Sequence, residues 1–211
     1  AEGLIGPDGI MPFDQHLENM EKMTENNTDL PDKKWLKPTL LWYSPTWDMV
    51  DMLFGAGVAC SALLVAGVIP ALATAGIWIC YLSVMTVGPP FLNFQWDILL
   101  LETCLLSIFF LPWTRFSGPR STPMPSRLGR LLIICLLFKL MFESGIVKFT
   151  YFGAENSNAW SDFTALDYHY WTQPIPSWSS WYVDRLPASF DEASLWFMYT
   201  VELVFPFFFF L

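Results

Sequence analysis

Charge is confined to a few short stretches of this chain, and that constrains its fold more than any other feature. From position 52 to position 96 there is not one Asp, Glu, Lys or Arg. Apolar runs of about 18 or more residues are candidates for crossing a bilayer. Here they recur between proline- and glycine-rich breaks. Residues 47–69 form the first run, and Pro70 interrupts it. Residues 71–87 form a second, closed by Gly88-Pro89-Pro90. Residues 91–111 and 128–147 make a third and fourth, and a fifth begins at 193. The fold class this implies is all-α, a polytopic transmembrane helical bundle. The composition agrees, with 54% hydrophobic residues against roughly 45–50% in soluble domains.

The order of the segments suggests an organisation. Residues 1–46 form a polar N-terminal segment with eight acids and four lysines. Within it, 2–12 reads as a turn-laden loop, 16–26 as a short interfacial helix, and 35–47 as a Trp- and Tyr-rich stretch at headgroup level. Residues 47–148 hold membrane helices one to four, and 149–192 form a large aromatic loop outside the membrane. Residues 193–211 start a fifth helix carrying Glu202. The loop at 112–130 has four arginines and no acid, which places it on the cytoplasmic side. Counting crossings from it, 149–192 is non-cytoplasmic. The N-terminal segment is too if Pro70 separates two true spans, and is cytoplasmic if 47–87 crosses once. In the first case the sequon Asn26-Asn27-Thr28 faces the glycosylating side. Residues 1–12 lack the basic and apolar regions of a signal peptide. The chain stops inside an apolar run, so further residues are expected beyond both ends.

Several function classes are disfavoured. A net charge of −9 suits neither DNA nor RNA, which need clustered Lys and Arg. No glycine-rich phosphate loop and no zinc-type Cys/His spacing occurs, so neither a cofactor nor a metal is expected. Cys60, Cys80, Cys104 and Cys135 all fall inside apolar runs and read as small buried residues.

Three sets of residues remain as candidates for chemistry. Asn93, Asp97, Glu102, Lys139 and Glu143 stand within apolar runs, where a charge costs about 2.5–3.5 kcal/mol. Their i,i+4 spacings put Asn93 with Asp97 and Lys139 with Glu143 on shared helix faces. They read as a polar seam between the third and fourth spans, or alternatively as a water-filled ion path. Lys148 closes the fourth span, either snorkelling to the interface or acting as a desolvated base. His169 sits in WSDFTALDYHYWTQPIPSW, residues 160–178, as a hydrogen-bonded loop staple or a general base. No nucleophile elbow accompanies them, since Ser144 lies in Glu143-Ser144-Gly145.

Ordered motifs along the whole chain resemble the lipase maturation factor family. They are LIGPDGIMP at 4–12, PTLLW at 38–42 with Trp47-Asp48, YLSVMTVGPPFLNFQWDILLLE at 81–102, FKLMFESGIVK at 138–148 and VELVFP at 201–206. The strongest is the loop signature Trp160, Asp162, Thr164, Asp167, His169, Thr172, Gln173, Pro174 and Pro176. The family pattern has Glu at the place of Trp171, Arg at Lys139, a small residue at Glu143, and a shorter connection than 151–158. The resemblance implies a non-enzymatic membrane factor of the endoplasmic reticulum or another internal membrane. Its partners would be membrane lipid and a client lipase. The alternatives are an accessory subunit of a larger membrane complex and a carboxylase-like enzyme. The last rests on Gly145-Ile146-Val147-Lys148, which is similar to a run in the vitamin K-dependent carboxylase group.

Overall fold

The computed structural model describes residues 2–27, 30–118, 124–150 and 158–211. Arg120, the sequon's Thr28 and most of the long connection at 151–158 lie outside them. Among the described residues the chain is helical, with one isolated backbone bridge, Val68 to Phe116. It divides into two compact units, Ala1–Ile133 and Ile134–Leu211.

The first unit is built on a helical hairpin, α4 (Trp47–Val65) and α5 (Pro70–Val87). Both are long and apolar enough to cross a membrane. Thr46 starts α4, its hydroxyl accepting from the Met49 amide at 3.4 Å, and Asp48 lies in the first turn where the helix dipole favours an acid. The hairpin turns where Gly67 and Ile69 adopt positive φ, 70° and 41°. Pro70 follows at the first position of α5, where its missing N–H costs nothing. Residues 47–87 therefore form two helices and not one. Small residues let them approach closely: a Cβ on Gly76 would meet Cys60 Sγ at 2.7 Å, and one on Gly57 would touch Cys80 at 3.6 Å. Gly55, in the same run of small residues, faces open space.

The polar N-terminal segment is not a loose tail. It contains α1 (Glu2–Ile5), α2 (Phe13–Asn26), α3 (Lys33–Leu36) and a 3-10 turn at Leu40–Trp42. Ile5, Phe13, Leu17 and Leu41 form one buried cluster with Val50 and Leu53 of α4 and Val84 and Val87 of α5. Burying a side chain of this size contributes about 1.5–3 kcal/mol. Hydrogen bonds fix the register: the Thr39 hydroxyl donates to the Ser83 carbonyl at 3.0 Å and that of Thr86 to the Pro38 carbonyl at 3.1 Å. The outward face of α2 carries exposed charges, with Lys22 paired to Glu18 at 2.6 Å.

This cap covers the end of the hairpin where α4 begins and α5 finishes. The opposite end is held by residues 112–118. Ser117 N donates to Gly67 O at 2.8 Å, and Ile69 N donates to Arg115 O at 2.9 Å. Position 67 must be glycine, because a Cβ there would lie 2.1 Å from Ser117 O. Between the two ends runs α6 (Gln95–Phe110), packed on α5. The second unit follows along α7 (Arg127–Thr150), with α8 (Leu166–Thr172), α9 (Ser180–Val183) and α10 (Ala188–Tyr199). From Ala188 to Phe210 this last helix is also long and apolar enough to span a bilayer.

His16 ties the cap to pH. It is half-buried on α2, and its Nε2 is buried without a hydrogen-bond partner among the described residues. Burial, then the charge of Lys37, holds its pKa below the ordinary value. Below about pH 6.5 the unfolded chain takes up a proton that folded His16 resists, so stability falls as pH falls. Thermal unfolding followed between pH 7 and 5.5 should show that decline, and His16→Gln should flatten it.

Candidate functional site

Of the five intramembrane polar residues, Asp97 has its partners within the first unit. Asp97 is buried, and both of its oxygens are used locally. Tyr81 of α5 donates its hydroxyl to Oδ1 at 2.5 Å, and the Phe94 amide donates to Oδ2 at 3.1 Å. Asp97 thus caps α6 and ties it to α5, the second and third apolar segments. Asn93 precedes the first residue of α6 and is exposed, so the i,i+4 spacing does not place it on a helix face with Asp97. Glu102 is half-buried on α6, while Lys139 and Glu143 are exposed along α7.

A different constellation forms in the second unit, around Lys148. Its Nζ donates to Glu202 Oε2 at 2.5 Å and to the Ser144 carbonyl at 2.8 Å, and stands 5.4 Å from the ring centre of Trp160. The two charged side chains are 15% and 19% exposed, so water screens the pair little. Two sequence features make it possible. Gly145 lies against Leu203, where any Cβ would approach within 2.4 Å, so α7 and the last helix come close. Pro206 has no amide hydrogen for the Glu202 carbonyl, and the helix widens into a π-turn over Thr200–Val204 before it.

The aromatic loop closes over this pair. The Asn158 side chain is buried; it donates to the Lys148 carbonyl at 2.7 Å and accepts from the Trp160 amide at 3.1 Å. Tyr199 of α10 donates its hydroxyl to the Trp160 carbonyl at 2.7 Å. Phe163, at φ 60°, packs on Tyr199 and Trp196 with ring centres 6.0 and 5.1 Å away. Leu166 of α8 buries against Leu195 and Tyr199. Phe138 and Phe142 of α7 meet Phe207 beyond the π-turn edge-on, with ring centres 5.1 and 5.6 Å away.

The loop signature is therefore split by role. Trp160 is anchored beside Lys148, whereas Asp162, Thr164, Asp167, His169, Thr172, Pro174 and Pro176 are exposed and Gln173 is half-buried. The His169 imidazole stands edge-on to Trp160 and Tyr170, 6.3 and 6.0 Å between ring centres, and makes no side-chain hydrogen bond among the described residues. It is an aromatic contact and not the hydrogen-bonded staple its sequence position suggests. Burial, then the charges of Asp191 and Asp184, raises the phenol pKa of Tyr170. Sequence reasoning did not single out Asn158 or the pairing of Lys148 with Glu202. Both charges were visible in apolar surroundings, which was the available signal.

A model of the lipase maturation factor transmembrane domain matches residues 1–211, the whole chain. The chain belongs to the lipase maturation factor family. It is similar to lipase maturation factor 2 of Homo sapiens, at 35% identity over 97% of this chain and 30% of that protein. Against lipase maturation factor 2 of Gallus gallus the identity is 37%, over 99% of this chain and 29% of the relative. Against lipase maturation factor 1 of Mus musculus it is 32%, over 100% of this chain and 36% of the relative. The chain thus spans about a third of the length of these relatives. No solved structure matches it.

Three contacts hold the Lys148 nitrogen: a carboxylate, a carbonyl and an indole face. These are the contacts of a donating ammonium that joins helices. Removing one partner of so enclosed a pair costs about 3–5 kcal/mol. Lys148→Met should accordingly lower the detergent-solubilised thermal midpoint sharply. Lys148→Met with Glu202→Leu should recover most of the loss, which a double-mutant cycle on tryptophan fluorescence would read.

Proposed function

We propose that this chain is the membrane-embedded part of a non-enzymatic maturation factor that assists folding or assembly of a client lipase. The match of the family's transmembrane-domain model to all 211 residues carries this reading. The geometry around Lys148 supports it, because the residues that resembled a catalytic base and its surroundings are spent on joining α7, α10 and the loop. The exposed polar face of the signature, with Asp167 and His169 on α8, is the part offered to a protein partner. When the protein is co-expressed with a secreted lipase, Asp167→Ala combined with His169→Ala should lower the activity secreted per lipase polypeptide. The maturation factor's own thermal midpoint should stay unchanged. Turnover of a small molecule by the purified protein, abolished by Lys148→Ala with the fold intact, would replace this reading with an enzymatic one.

In the same proposal the membrane is that of the endoplasmic reticulum. The N-terminal cap and the aromatic loop are on the lumenal side, and the arginine-bearing 112–130 loop is cytoplasmic. The cap and residues 112–118 lie at opposite ends of the α4–α5 hairpin, as this arrangement needs. Ile10 and Met124 are 77% and 84% exposed and report on the two ends. In sealed microsomes, an impermeant maleimide should label Met124→Cys at once. Ile10→Cys should react only after permeabilisation. Labelling in the reverse order would invert the topology.

A further inference from the structure

The level at which the aromatic loop is anchored has a consequence for where it lies. Glu192 is the last charged residue before the apolar part of α10, and Glu202 follows ten residues later. At 1.5 Å per residue the separation is about 15 Å along the helix axis, half the thickness of a hydrocarbon core of about 30 Å. Lys148 is ion-paired to Glu202, so the C-terminal end of α7 lies at that depth and not at the membrane surface. Trp160 is hydrogen-bonded to Tyr199, and Leu166 is buried against Leu195. These contacts place the start of the loop beside the apolar last two turns of α10, short of Glu202.

We infer that residues 158–186 form a re-entrant wedge seated in the leaflet in which α10 begins, its aromatic face in contact with phospholipid and the polar face of α8 with Asp167 and His169 left toward the aqueous compartment. Irregular backbone at such depth survives only where its polar groups are satisfied within the protein. Asn158 does this at the base of the wedge, engaging the Lys148 carbonyl and the Trp160 amide, and Tyr199 takes the Trp160 carbonyl. The outer face is what a headgroup boundary selects, since Trp and Tyr concentrate there. Trp171, Ile175, Trp178, Trp181 and Tyr182 are all more than half exposed. The Arg185 guanidinium stacks on Trp181 at 3.7 Å, which keeps a charged tip beside an apolar ring. Chain continuity adds to this, because Leu186 is two residues from the first residue of α10. The wedge keeps this depth in either orientation of the chain and with any client.

The test is a depth measurement on the whole chain in phospholipid nanodiscs, with its native cysteines replaced by alanine. Spin labels at Trp171→Cys and Trp178→Cys should collide with dissolved oxygen in preference to a water-soluble nickel chelate. A label at Ile10→Cys should show the reverse preference. All three positions are exposed, so the substitutions leave the buried contacts in place. On the unsubstituted protein, a phospholipid with a diazirine in its acyl chain should leave adducts on peptides from 166–186. If the loop labels behave like Ile10→Cys and the adducts are confined to 47–87 and 188–210, the wedge is wrong. The aromatic face is then a water-exposed surface for a protein partner.

Discussion

A charge placed inside an apolar helix has to be matched from somewhere, and in the second unit Glu202 is matched by Lys148. Isolated, either charge would cost about 2.5–3.5 kcal/mol at the centre of a membrane helix. Paired at 2.5 Å, they instead fix where α7 ends relative to the last helix. Everything around the pair follows from that register. Gly145 sits under Leu203, the phenylalanines at 138 and 142 meet Phe207, and Trp160 covers the ammonium. The loop signature is then an extension of the ion pair, attached through Asn158 and Tyr199, and not an independent feature.

The first unit solves a similar problem with a different device. Asp97 stands in an apolar segment, and its hydrogen-bond donors among the described residues are neutral. It accepts from the Tyr81 hydroxyl and the Phe94 amide, so both oxygens are satisfied by dipoles. A buried carboxylate held by hydrogen bonds alone is stable only where the donors are rigidly placed. The hairpin supplies that rigidity, since α5 is packed by α4 on one side, α6 on another, and the N-terminal cap at its end.

How much of this could be read beforehand depends on the range of the interaction. Local signals were sufficient for the helices. Pro70 separates α4 from α5, Gly88 ends α5, and the apolar runs coincide with the long helices. Pairings across distance were not legible. Tyr81 is 16 residues from Asp97, and Lys148 is 54 residues from Glu202. Nothing in spacing or periodicity links residues so far apart. The i,i+4 argument failed for Asn93 because the helix starts two residues after it, at Gln95. The N-terminal segment was similarly opaque. Its acids and lysines dominate its composition, yet Phe13, Leu17 and Leu41 are the residues that fold it onto the hairpin.

Low burial of the long helices separates stability within the protein from stability in its surroundings. Met52, Val58 and Val65 of α4 are 59%, 71% and 90% exposed, and Trp196 and Phe197 of α10 are 57% and 70%. In water such surfaces would be a liability. In lipid they carry no penalty, because acyl chains are as apolar as leucine. Helix association must then come from close packing and polar contacts, and those are the contacts found: Gly76 on Cys60, Gly145 on Leu203, Tyr81 on Asp97, and Lys148 on Glu202. Substitutions on the exposed apolar faces should therefore be tolerated far better than changes at these four contacts. Between the long helices, glycines and polar side chains therefore fix the register, even though most of the chain is apolar.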